Sequence, residues 1–83
     1  MDTLLPPELA VEPKQLWLDL RALRRRPGRR RVLRVLAVPD ERATMCVHSD
    51  THPASNQPAL LRISLAYMVG QPGDRRYELV GVA

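Results

Sequence analysis

Cysteine occurs once, at Cys46, phenylalanine not at all, and the aromatic set is limited to Trp17, Tyr67 and Tyr77. One cysteine excludes an intrachain disulfide and a four-cysteine zinc site. A chain of 83 residues buries only roughly 60–65% of its unfolded surface, so good packing or self-association must supply the missing stability. No apolar run approaches the roughly 20 residues that span a bilayer, and the Met-Asp-Thr start lacks the basic segment of a secretory leader. A cytoplasmic protein without a membrane role is the expectation. Also missing are a glycine-rich phosphate loop, a helix-turn-helix pair and the aromatic pair on which a sheet stacks bases. No named nucleotide module fits, and neither a cofactor nor a small-molecule substrate is expected.

Lysine is scarce as well, since Lys14 is the single lysine among 13 basic residues. The arginines are concentrated instead: eight of them fall in the stretch RALRRRPGRRRVLR, residues 21–34, with no acidic residue among them. Residues 1–20 sum to −3 and residues 35–83 to −1, so this stretch carries +8 of an overall +4. The protein is a near-neutral body bearing one basic patch. An apolar content of 45% is ordinary for a globular domain and too high for a disordered one.

Taken in order, residues 1–12 contain Pro6-Pro7, which blocks a regular helix, together with Leu4, Leu5, Leu9 and Val11. They read as an extended apolar arm preceding a single domain at 13–83. Pro13 suits a first helical turn, and Leu16, Leu20 and Leu23 recur at helical spacing with Trp17 beside them. Arg24, Arg25 and Arg26 would lie in the last turn, where cations meet exposed carbonyls, and Pro27-Gly28 would stop the chain. The pattern predicts a helix over 13–26.

Beyond Gly28 the period drops to two. Strands are predicted at 30–38 and 43–48, joined by the turn Pro39-Asp40-Glu41-Arg42, then at 59–69 and 77–82. The ten-residue segment 49–58 has a loop's composition, and Gly70 to Asp74 reads as a turn. The expected fold class is α+β, with one N-terminal helix packed on a four-stranded antiparallel β-meander in the order α-β-β-β-β. The helix would cover Leu33, Val35, Met45, Val47, Ile63, Leu65, Tyr67 and Leu79. The other face would hold Val32, Leu36, Val38, Met68, Val80 and Val82 with no cover from its own chain, which suits a homodimer.

Three chemistries are conceivable. Arginine forks match phosphate oxygens, so Arg24, Arg25, Arg26, Arg29, Arg30, Arg31 and Arg34 form a candidate site for nucleic acid or another polyanion, with an acidic protein as the other partner class. Contact with about six duplex phosphates would give a log–log salt slope near −5. The plainer reading is a solvated rim, partly neutralised by Asp40, Glu41 and the acidic arm. In that case a homo-oligomeric assembly surface at Val32, Leu36, Val38, Val80 and Val82 would carry the function. Second, Cys46, His48, Asp50 and His52 alternate as four zinc-capable side chains. On an extended strand, however, alternate residues are about 7 Å apart, too far for one metal without a sharp turn. No metal is expected. Third, Cys46 and His48 lack the orienting group that a nucleophile and base require, so no catalytic residues are assigned.

Overall fold

The computed structural model describes residues 11–52, 58–69 and 75–83. Within them the elements are β1 (Gln15–Asp19), α1 (Leu20–Arg25), β2 (Arg31–Ala37), β3 (Arg42–Asp50), β4 (Leu61–Ser64), α2 (Leu65–Val69) and β5 (Tyr77–Val82). The strands form one antiparallel sheet in the order β4-β3-β2-β1-β5. The class is α+β, with five strands and two short helices instead of the expected four strands and one helix.

The first half of the predicted helix at 13–26 is a strand and its approach. Lys14 has φ +74°, a left-handed conformation that no helix interior accepts, and its N–H donates to the Val35 carbonyl at 2.8 Å. The run Leu16-Trp17-Leu18 then enters the sheet between β2 and β5. Trp17 lies opposite Leu33 on one side and Leu79 on the other, while Leu18 faces Val32. Both faces of β1 are therefore largely buried, and consecutive apolar residues outrank the weaker helical spacing. Buried Gln15 holds the strand's start, because its Oε1 accepts from the Trp17 indole at 3.0 Å and from the Glu12 N–H at 2.8 Å.

The helix begins only at Leu20, capped by Asp19. Its Oδ1 accepts from the N–H groups of Arg21 and Ala22 at 3.0 and 3.1 Å. This is an ordinary aspartate N-cap, one strand later than the sequence pattern suggested. Gly28, with φ +94°, completes the reversal into β2 in a conformation that glycine adopts freely.

The hairpin of β2 and β3 is present as expected, and β5 has the expected bounds. The predicted strand at 59–69 is corrected in its second half. After four residues the chain turns into α2, started by the Ser64 Oγ, which accepts from the Tyr67 N–H at 3.3 Å. Topology gives the reason, since β4 and β5 occupy opposite edges and their connection must cross the sheet. Met68, expected on the uncovered face, is consequently fully buried in the core with Trp17, Leu33, Val35, Ala43, Met45 and Tyr77. The four-strand meander is corrected too, because β5 returns beside β1 and does not neighbour β4.

Register shifts occur at three places. Between Leu16 and Trp17 the partner on β5 jumps from Gly81 to Leu79, leaving Val80 extra. On β2 and β3, Leu36 and His48 are the extra residues. Each inserted residue moves everything beyond it to the other face. Ala37, which strict alternation along β2 would put on the core face with Leu33 and Val35, is exposed for this reason.

The predicted arm falls outside the described residues except for Val11, which packs against the core, and exposed Glu12. Most of the predicted loop and the turn at Gly70 also lie outside them, although Ser49 and Asp50 belong to β3. No helix among the described residues is long and apolar enough to cross a membrane.

Candidate anion site at the charged end of the sheet

Antiparallel pairing gathers the end of β1, the start of β2, the end of β3 and the start of β5 at one end of the sheet. Asp19 is in register with Tyr77, and Arg31 with Asp50. The extra residue His48 matters here, because without it Asp50 would point away with Cys46. With it, Arg31 lies between two carboxylates from the neighbouring strands. Its Nη1 donates to Asp19 Oδ2 at 3.2 Å, and its Nε lies 3.8 Å from Asp50 Oδ2. That Nε is buried and has no hydrogen-bond partner among the described residues.

Arg29 completes the cluster from the loop before β2. Its Nε and Nη2 donate to the two oxygens of Asp50 at 3.1 and 2.7 Å, a bidentate fork. The hydrogen bond from Arg29 holds the Asp50 carboxyl below its usual range against the opposing effect of burial, with help from the His52 N–H at 3.0 Å. The loop is tied down further by Thr51, whose Oγ1 accepts from the Arg30 N–H at 2.8 Å and whose N–H donates to the Arg30 carbonyl.

A cavity of about 250 Å³ opens beside this cluster. Arg21, Arg25, Arg29 and Arg31 line it together with Asp19 and Tyr77, and Leu61 and Ile63 supply an apolar wall. Burial, reinforced by nearby Asp19, pushes the Tyr77 hydroxyl up to about 12, so it stays protonated at neutral pH. Close by, Tyr67 meets Tyr77 edge-on at 6.5 Å, and the guanidinium carbons of Arg76 and Arg21 lie 4.4 and 5.3 Å from its ring centroid.

The arginines singled out by sequence therefore divide. Arg29 and Arg31 are held by aspartates and only 24% and 18% exposed at their side chains. Arg24, Arg25, Arg26 and Arg30 are exposed, with Arg24 Nη2 donating to the Arg75 carbonyl at 2.8 Å. Arg34 is exposed away from the cluster, on the face of β2 that neighbours Leu16 and Cys46. Among the proposed interface residues, Val32 is 4% exposed within its own chain and Val38 packs against the core. Leu36, Val80 and Val82 are exposed at 41, 39 and 69%.

The alternating set Cys46, His48, Asp50 and His52 is not brought together. Asp50 is engaged by arginine, and the His52 Nδ1 contacts the Thr51 hydroxyl at 3.1 Å. Among the described residues no group of three or more His, Cys, Asp or Glu is placed to hold a metal. Sequence reasoning missed Asp19, Tyr77, Leu61 and Ile63 as parts of one site. Asp19 alone had a local signal, as a capping aspartate before a leucine-arginine run. Compared with known proteins, the chain matches no family model, no curated protein and no solved structure.

Proposed function

We propose that the protein acts by binding, not by catalysis, and that its basic edge at residues 24–34 contacts a polyanion, nucleic acid first among the candidates. One observation carries this reading: Arg25 at the end of α1, the cap residue Arg26 and Arg30 in the loop that follows are exposed, and the Arg29–Asp50 fork and Thr51 hold that loop in place. Ordering a loop of long side chains usually subtracts from affinity, and here much of that ordering precedes the partner. Arg29 and Arg31 serve the scaffold, so fewer phosphates are engaged than the arginine count suggests.

Contact with about four phosphates gives a log–log salt slope of roughly −3.5 and an affinity loss of about 100-fold between 50 and 200 mM salt. The test is fluorescence anisotropy of a short mixed-sequence duplex titrated at both salt concentrations. Replacing Arg24, Arg25, Arg26 and Arg30 by Gln is expected to remove the salt-dependent binding and leave thermal stability nearly unchanged, as for most surface substitutions. Binding that survives this quadruple change contradicts the reading.

A second reading has its own observation. β5 is an edge strand, and Val80 and Val82 on it are exposed, a combination that invites pairing with a second copy of the chain. Under this reading the protein is a homodimeric assembly subunit. Light scattering would then give a salt-independent dimer that Val80→Asp dissociates, whereas a monomer at all concentrations rules it out.

A further inference from the structure

The exposed arginines suit a polymer backbone, but the cavity beside them has a different chemistry. It is small, at about 250 Å³, and it combines four guanidinium groups with a neutral tyrosine and an aliphatic wall. Two carboxylates offset part of that charge: Asp19 on Arg31, and Asp50 on both Arg29 and Arg31. Four positive charges against two negative leave a balance of two. A carboxylate would neutralise half of it, whereas a phosphate monoester carries about −1.5 to −2 at neutral pH and matches it. A phosphodiester carries one charge and continues in both directions, which a compact cavity does not accommodate.

We propose that this cavity binds a phosphate monoester. Arg21 and Arg25 grip its oxygens, since Arg29 and Arg31 are already paired with aspartates, and Leu61 and Ile63 contact the group that the phosphate is attached to. Two sources share this chemistry, a free small phosphate ester and the terminal 5′-phosphate of a nucleic acid. Arg25 belongs both to the cavity lining and to the exposed edge. For the second source the inference rests on the polyanion reading, and it makes the protein a reader of phosphorylated ends.

The test compares a short duplex carrying 5′-phosphates with the same duplex carrying 5′-hydroxyls, each at fixed salt. The phosphorylated duplex is expected to bind about 10-fold or more tightly, and the preference is expected to shrink between pH 7.5 and 5.5 as the phosphate gains its second proton near pH 6. Leu61→Trp fills the cavity without altering any charge, and Arg21→Gln removes one grip. Each is expected to abolish the preference while leaving the hydroxyl duplex bound as before, and Arg21→Gln serves if Leu61→Trp fails to fold.

Equal binding of the two duplexes overturns the end-reading and leaves the basic edge standing. If neither duplex binds, the edge reading fails, and the cavity is judged on adenosine 5′-monophosphate against adenosine. A thermal shift with the nucleotide alone, lost in Arg21→Gln, supports the monoester site. No shift with either compound overturns it.

Discussion

Arg30 and Arg31 are chain neighbours with the same side chain, yet they belong to different parts of the molecule. Arg31 sits between Asp19 and Asp50 on adjacent strands, while Arg30 is exposed and contributes only its backbone to Thr51. The same division separates Arg29, forked onto Asp50, from Arg26, exposed at the helix cap. Local composition does not distinguish these residues. The carboxylates opposite them do, and those arrive from 12 and 21 positions away in sequence. A run of like charge is thus sorted into scaffold and surface by strand pairing.

The strongest way to break this comparison is to remove an arginine from the scaffold set. Arg31→Ala leaves two carboxylates buried without their shared cation, and removing one partner of a buried pair is costly. The expected loss is about 3 kcal/mol, at the low end of that range because Arg31 retains some exposure. For a domain of this size that lowers Tm by roughly 10–20 °C. Arg30→Ala is expected to change Tm by very little. Similar Tm losses for the two variants, measured by calorimetry, would erase the distinction.

Asp19 sharpens it, because one side chain both caps α1 through Oδ1 and binds Arg31 through Oδ2. Asp19→Ala is expected to cost about 2 kcal/mol, of which roughly 1 belongs to the cap. Asp19→Asn keeps the capping oxygen and removes the charge, and asparagine caps as well as aspartate. It should therefore recover about half of the loss. Equal losses for Ala and Asn, compared by urea denaturation, would assign the whole effect to the ion pair.

The sequence pattern conveyed the hairpin of β2 and β3 and the bounds of β5 because these segments alternate and are separated by proline- and glycine-rich turns. It misled at β1, where Leu16, Leu20 and Leu23 mimic a helix although Trp17 needs two strand neighbours to be buried. Simple alternation does not give the face beyond a register shift, as at Leu36 before exposed Ala37. These shifts have no local signature, since the extra residues Leu36, His48 and Val80 share no composition. The arginines were legible as a basic patch, but their division was not, because it depends on the shift at His48 that turns Asp50 toward Arg31. The cavity was illegible for the same reason, as it is assembled from β1, α1, β2, β4 and β5.

The smallest effect concerns acid. Hydrogen bonding from Arg29 holds the Asp50 carboxyl below the ordinary value near 4, so the unfolded chain binds the proton more readily than the folded one. The stability drawn from Asp50 is fully present above about pH 4 and is lost as the pH falls through the folded value. Asp50→Asn lacks this titration. The Tm gap between the native chain and this variant should be constant from pH 7 down to about pH 5, then narrow through pH 4 and below. Taking the difference cancels the other carboxylates, which titrate alike in both proteins. A gap that stays constant to pH 2 would mean that Arg29 and Asp50 meet without stabilising the fold, and Arg29 would then join the exposed arginines in the comparison above.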